Sequence, residues 1–246
     1  MQWLATIYSS YKFTNCWDWN NLMKKALVLI SGGLDSLAVL AGAKQTQDEI
    51  HTVVFEYGQR NSTELSFAWH MSQEFGVASH NVINISSCFT VMNSAMLDRS
   101  VDLAPHASAP GLGNHYVPNR NIIFLGIAHG YAEALGCDSL FVGMGGTAPG
   151  GAPDSEPEFI EAAEVAIKIG NPSAVEIIIP LYGMTKDKVW ERVDRLGVMK
   201  YAIENTLSCH NGDHVTKNVW GPGCASCPAC KLRATGYHTY MDKGLI

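Results

Sequence analysis

Nowhere in its 246 residues does the sequence run through the roughly 20 consecutive apolar positions that a membrane-crossing helix needs, so a soluble protein is expected. Basic residues are also in deficit. Lys and Arg total 17 against 23 Asp and Glu, for a formal net charge of −6 and a pI of about 5.8. A stand-alone reader of nucleic-acid backbones carries the opposite balance, which turns attention to small-molecule partners. No low-complexity tract or solenoid-period repeat interrupts the chain, and with 47% hydrophobic residues it can bury one sizeable core. Residues 1–22 are aromatic-rich but lack the charged start, continuous apolar centre and small-residue cleavage site of a secretory leader. They are read as an N-terminal extension of unknown role, and because Met23-Lys24-Lys25 stands just before the first convincing strand, a later translation start is compatible with the sequence.

An evenly spread disulfide framework is missing as well. Of seven cysteines, Cys16, Cys88 and Cys137 are scattered, whereas Cys209, Cys224, Cys227 and Cys230 fall within 22 residues. Clustering of that kind reads as metal binding in a reducing compartment, and a cytoplasmic protein is expected.

What is present follows an alternating pattern. The apolar run Ala26–Ile30 ends at Ser31-Gly32-Gly33 and suits a strand buried on both faces, with a helix running on from Ser36. Thr52–Phe55 predicts a second strand, Thr63–Phe75 a helix closed by Gly76, and Asn81–Ile85 a third strand. After a long connection, Ser86–His115, the pattern predicts a helix over Asn119–Leu135, a strand over Ser139–Met144 and a glycine-rich segment over Gly145–Pro153. Helix Glu158–Ile169, strand Glu176–Leu181 and helix Lys186–Leu196, closed by Gly197, complete it. Strand and helix in alternation imply an α/β fold: an open, Rossmann-like parallel sheet with helices on both faces and its ligand at the carboxyl ends of the strands. Residues 23–200 are read as the nucleotide-binding domain and 201–246 as a cysteine-bearing segment packed on it.

Ser31-Gly32-Gly33-Leu34-Asp35-Ser36 lies between the first strand and the first helix, where backbone N–H groups and the positive helix end attract an anion. Two glycines permit close backbone approach, Ser31 and Ser36 add hydroxyl donors, and Asp35 is placed either to cap the helix or to hold magnesium. No Walker A string is present. The plain alternative is a Gly-Gly turn with Asp35 or Ser36 as N-cap. The string resembles the SGGxDS signature of pyrophosphatase-loop enzymes, which cleave ATP between its α and β phosphates.

Four thiolates from Cys209, Cys224, Cys227 and Cys230 suffice for a closed tetrahedral zinc shell with a structural role. Buried free thiols are the bland alternative, and an iron–sulfur cluster is the chemical rival.

With loop and cysteines in view, residues 24–241 resemble the 7-cyano-7-deazaguanine synthase family of the queuosine pathway. The likeness rests on SGGLDS; Tyr57-Gly58-Gln59-Arg60; Val117-Pro118-Asn119-Arg120-Asn121; Pro157-Glu158-Phe159-Ile160; Thr185-Lys186; Thr206-Leu207-Ser208-Cys209; and the cysteine knuckle leading into Lys231-Leu232-Arg233. It implies two-step use of ATP and ammonia on a deazaguanine-type carboxylic acid, with Mg²⁺ and structural Zn²⁺. It further implies ATP binding by Ile30, Ser31, Gly32, Gly33, Leu34, Asp35, Ser36, Tyr57, Gln59 and Arg60, and a homodimer. Asp35, Arg120 and Lys186 are the catalytic candidates, Arg60 joins Arg120 and Lys186 against the phosphates, and Gln59 and Asn121 orient neighbours. The pattern departs at Ala148–Glu156, where the family carries D-[YF]-S-G-Y-P-D-C-R: Gly151, Pro153 and Asp154 match, but Ser155-Glu156 replaces Cys-Arg and reverses a charge. Delivery of the acyl group to another amine, including a protein acceptor, therefore stands beside nitrile formation. Modification of a transfer-RNA base is a further alternative that the acidic balance disfavours.

Overall fold

The computed structural model describes residues 23–103, 112–144 and 152–244. The N-terminal extension with Cys16, and most of the glycine-rich Gly145–Pro153, lie outside the described residues.

Strand β1 (Lys25–Leu29) is flanked on both edges by parallel partners, β2 (Glu49–Glu56) and β4 (Ser139–Val142). Side chains alternate across a strand, so an uninterrupted apolar run supplies two cores at once. Ala26, Val28 and Ile30 face helix α1 (Leu34–Ala43), while Leu27 and Leu29 face helix α3 (Arg120–Ala134) on the opposite side. Helix α2 (Glu64–Glu74) joins α1 on the first face, and α4 (Pro157–Gly170) joins α3 on the second. With β3 (Ser79–Asn84) and β5 (Glu176–Ile178) at the edges, the all-parallel order is β3-β2-β1-β4-β5. This is the expected Rossmann-like sheet with helices on both faces. The chain order reverses between β1 and β4, which opens a crevice at their carboxyl ends.

Element boundaries moved for local reasons. Asn119 adopts φ 57°, so α3 begins one residue later than its apolar pattern implies. β5 stops at Ile178, ahead of Pro180, which has no N–H to give a ladder. β3 instead begins earlier, among polar residues whose side chains bond across to β2 and α2. His51 Nδ1 lies 2.7 Å from Ser79 Oγ, and Thr52 Oγ1, Ser72 Oγ and His80 Nδ1 are mutually 2.9 Å apart.

Helix α5 (Lys186–Arg195) is strongly two-faced and buries Val189, Trp190 and Val193. The sequence reading contained neither of the next two helices, α6 (Met199–Asn205) and α7 (Pro228–Lys243). Between them a short antiparallel pair, β6 (Lys217–Asn218) and β7 (Gly221–Pro222), carries the cysteine segment. Cys209, Trp220, Cys227 and Cys230 share one continuous hydrophobic cluster with Val28, Leu37 and Trp190. The C-terminal segment thus packs into the same core as the sheet. Among the described residues no helix is long and apolar enough to cross a membrane.

Candidate nucleotide site and cysteine centre

The loop after β1 is folded back on itself by its own serines. Ser31 N–H donates to Ser36 Oγ (2.8 Å), and the two hydroxyl oxygens lie 3.1 Å apart. Gly32 sits at φ 75°, and a Cβ there would fall 2.6 Å from the Ala68 backbone nitrogen and 2.8 Å from the Glu64 carbonyl oxygen. Side chain and dihedral are both forbidden at this point, which lets the loop lie directly on the first turns of α2. α1 starts at an extended Gly33 with no side-chain cap, so neither Asp35 nor Ser36 serves as its N-cap. The first-turn N–H groups of α1 keep their affinity for an anion. Gly32→Ala is expected to lower unfolding stability by about 3 kcal/mol in urea titration. Gly33→Ala, whose Cβ would meet atoms no nearer than 3.4 Å, should change it by less than about 1 kcal/mol. Equal effects of the two would remove the steric argument.

Above the loop a cavity of about 430 Å³ is lined by Ile30, Ser31, Gly33, Leu34, Asp35 and Ser36, and by Tyr57, Arg120 and Lys186 from three other elements. Most of the expected site residues are thus brought together across more than 150 positions of sequence. Lys186, in the first turn of α5, places Nζ 2.7 Å from both carboxylate oxygens of Asp35. A cation therefore already fits against Asp35. Gly143, just after β4, packs against Asp35, and a Cβ there would meet Asp35 Cβ at 3.6 Å, an ordinary contact. The Arg120 guanidinium lies 5.8 Å from the ring centroids of both Tyr57 and Phe124 and donates to Tyr57 Oη at 3.5 Å. Asn121, as expected of an orienting residue, ties the start of α3 to the segment before α4. Its N–H donates to Asp154 Oδ2 (3.2 Å) and its Nδ2 to Ser155 Oγ (3.0 Å).

Two expected nucleotide contacts are placed elsewhere. Gln59 is buried and braces the turn after β2, accepting from Tyr57 N–H (2.8 Å) and donating to Phe55 O and Glu64 Oε1 (both 3.0 Å). Arg60 turns away from the loop and donates to the carbonyls of Val101 (2.6 Å) and Ala95 (3.2 Å). It lines a separate cavity of about 510 Å³ with Thr63, Arg99, Asp102, Asn211 and Gly212. Its neighbour Tyr57 points one way and Arg60 the other because a turn at Gly58, φ 80°, intervenes.

The sequence reading assigned no site role to several residues that line the crevice. Glu64, Ser208, His210 and Arg233 all border it. An acid opening a helix looks like a dipole partner, which is why Glu64 gave no signal. Burial pushes its carboxyl up to about 7, with the nearby Arg120 charge and the Gln59 hydrogen bond acting in the other direction. His210 is pushed down to about 4 by burial and by the neighbouring His115 and Arg120, and its ring centroid lies 5.4 Å from that of His115. Ser208 and Arg233 arrive with the cysteine segment, which docks on the loop through Leu207 N–H to Gly32 O (3.0 Å).

The four cysteines themselves converge: Sγ of Cys209, Cys224, Cys227 and Cys230 all lie within 4.8 Å of one another. A tetrahedral shell with metal–sulfur bonds of about 2.3 Å requires sulfurs about 3.8 Å apart, so the group can close on one ion with little movement. Backbone N–H groups of Cys227 and Cys230 point at Cys224 Sγ (3.4 Å) and Cys227 Sγ (3.5 Å). Ser226 Oγ and Asn211 Nδ2 add donors to Cys224 Sγ at 3.3 and 3.5 Å. Donors of this kind stabilise thiolate and orient ligands. Left-handed Ala225, φ 57°, and Gly223, where a Cβ would strike Cys230 Sγ at 2.7 Å, make the knuckle tight enough.

Several solved structures resemble the chain in outline. A 4-thiouridine synthetase in complex with RNA and ATP is 16% identical, aligned over 90% of this chain and 52% of that one, with a TM-score of 0.48. The chain thus spans about half the length of that synthetase. The NH3-dependent NAD synthetase of Campylobacter jejuni is 12% identical over 74% of this chain and 68% of its own, TM-score 0.43. The NMN synthetase of Francisella tularensis is 14% identical over 91% and 88%, TM-score 0.45. The model of one family, described as queuosine biosynthesis protein QueC, matches residues 25–241, from the first residue of β1 into the last turns of α7. Phosphate loop, crevice and cysteine centre all fall inside that span, and the chain belongs to the QueC family of queuosine biosynthesis proteins.

Proposed function

We propose that this protein is an ATP-dependent C–N ligase that converts 7-carboxy-7-deazaguanine and ammonia into 7-cyano-7-deazaguanine. One observation carries the reading: the uncapped start of α1, Asp35, Lys186 and Arg120 converge on a single cavity in a chain matched along its length by the QueC family. A carboxylate is a poor electrophile until converted to a mixed anhydride. Its oxygen attacks the α-phosphorus of ATP, pyrophosphate leaves, and an acyl-adenylate remains. Ammonia displaces AMP to give the amide. Adenylation of the amide oxygen, followed by loss of a second AMP, leaves the nitrile. The protein's task is positioning and charge stabilisation.

The N–H groups from Gly32 to Ser36 cradle the departing phosphates, and Lys186 and Arg120 offset their growing charge. Magnesium, when bound, would be held by Asp35 with phosphate oxygens and would neutralise charge on the nucleotide. Zinc is the ion proposed for the cysteine centre, where four thiolates leave no open position and the role is structural. Residues 23–200 form the nucleotide-binding unit and 201–246 its zinc-stabilised cover, in a cytoplasmic protein that pairs as a homodimer.

One observation favours a second product. Ala152 and Ser155 line the cavity where the resembling family carries an aromatic and a cysteine, and Glu156 follows in place of arginine. Transfer of the same acyl-adenylate to another amine, on a small molecule or a protein, is the reading that altered wall supports. Mass spectrometry after incubation with ATP, 7-carboxy-7-deazaguanine and ammonia separates the two. Nitrile with two AMP per product is expected. AMP release with no nitrile favours the second reading, and absence of acid-dependent exchange of labelled pyrophosphate into ATP rejects both.

A further inference from the structure

Given the acyl-adenylate reading, the nitrogen source poses a proton problem. Ammonium, the main form at neutral pH, has no lone pair, so a group beside the adenylate must take a proton before a C–N bond can form. Among the described residues lining the cavity, the cations Arg120, Lys186 and Arg233 cannot do so, and both oxygens of Asp35 are engaged by Lys186. Tyr57 is buried and accepts from Arg120. His210 sits against His115 beside the cysteine centre.

Glu64 is different. It is in the first turn of α2, and its carbonyl oxygen would lie 2.8 Å from a Cβ on Gly32, so it abuts the phosphate loop. Gln59 Nε2 holds one carboxylate oxygen at 3.0 Å while Gln59 is itself fixed by Phe55 O and the Tyr57 N–H. The carboxylate is therefore aimed and braced, with its second oxygen free of any ion pair among the described residues. We infer that Glu64 is the proton acceptor that converts ammonium to ammonia at the acyl-adenylate. Its environment agrees: burial brings the carboxyl up to about 7, where it can accept and release a proton at neutral pH. The groups facing it are Gln59, Arg120 and Tyr57.

The step balances as follows. A proton passes from ammonium to Glu64 and on to water, and the freed lone pair forms the C–N bond at the acyl carbon. The C–O bond to AMP breaks with its electron pair leaving on the phosphate oxygen. The nitrogen, now positively charged, is strongly acidic and gives its excess proton to water, leaving the neutral amide.

Glu64→Gln keeps the Gln59 contact available but removes the base. With ammonium as nucleophile, amide formation is expected to fall at least about 100-fold. Hydroxylamine, largely unprotonated at neutral pH, should still yield hydroxamate within about threefold of the unmodified protein. Glu64→Asp, with its shorter reach, should show a smaller fall confined to the ammonium reaction, and it carries the test if the glutamine variant fails to fold in a urea titration. Amide formation at the original rate, or equal loss of amide and hydroxamate, overturns the assignment. A parent protein that exchanges no labelled pyrophosphate with any acid instead overturns the reaction on which the assignment rests.

Discussion

Cys230→Ser, or prolonged treatment with a strong chelator, is expected to unfold the C-terminal segment and to abolish ATP turnover in the same step. Cys230 is 1% exposed and belongs to the cluster that also holds Val28, Leu37 and Trp190. A structural metal on four thiolates contributes about 10–16 kcal/mol to folding of its surroundings, and a whole domain is stable by only about 5–15 kcal/mol. Losing the ion therefore removes an amount comparable to the whole net stability available. The effect reaches the nucleotide cavity because Ser208, Leu232 and Arg233 form part of its wall and Leu207 N–H donates to Gly32 O. Thermal unfolding followed by circular dichroism, alongside pyrophosphate exchange, checks both consequences. Metal analysis should find one zinc per chain in a colourless protein. Iron and sulfide in equal amounts would replace zinc with a cluster, and an unchanged melting curve after complete metal loss would dismiss the structural role.

Arg233→Ala should cost about 3–4 kcal/mol of stability, near the upper end for a single substitution. The side chain is 1% exposed and acts as an internal strut. Nε donates to Trp220 O (2.9 Å), Nη2 to Ala202 O (2.7 Å) and Nη1 to Thr206 O (3.3 Å) and Ser208 Oγ (3.1 Å). Its guanidinium also lies 5.4 Å from the Trp190 ring, whose Nε1 donates back to Arg233 O at 3.2 Å. Removing it takes the guanidinium donors from the carbonyls of Thr206, after α6, and Trp220, before β7, while Ala202 O keeps the Thr206 hydroxyl. Burial lowers its pKa to about 10, so it stays charged at neutral pH. Lysine cannot reproduce a planar fork reaching several acceptors, so Arg233→Lys should recover less than half of the loss. Urea unfolding measures both variants, and a cost under about 1 kcal/mol for alanine would show that water replaces the strut.

Some of this was legible before any coordinates. The apolar run ending in Ser31-Gly32-Gly33 signalled a buried strand entering an anion-binding turn, because a two-faced strand must be apolar throughout and a tight turn must admit φ above zero. The four cysteines signalled one convergent group able to hold a metal, because ligands at that spacing can be turned onto a single point by the glycines and prolines between them. Other features had no local signal. Arg60 sits beside Tyr57 in sequence and inside a resembling motif, but the turn at Gly58 sends its side chain to a different cavity. Helix α7 begins at Pro228 inside the knuckle, so its start was hidden by residues that read as turn.

Local chemistry along the chain thus determined the strand–helix alternation, the phosphate-type loop and the set of sulfur ligands, since each depends on residues within a few positions of one another. Only the tertiary structure decided that Lys186 meets Asp35, that Glu64 lines the same cavity as Arg120, and that the cysteine segment walls the crevice. The Asp35–Lys186 pair alone joins residues 151 positions apart. These contacts depend on how the two faces of the sheet are packed, and that free energy belongs to the whole core rather than to any segment.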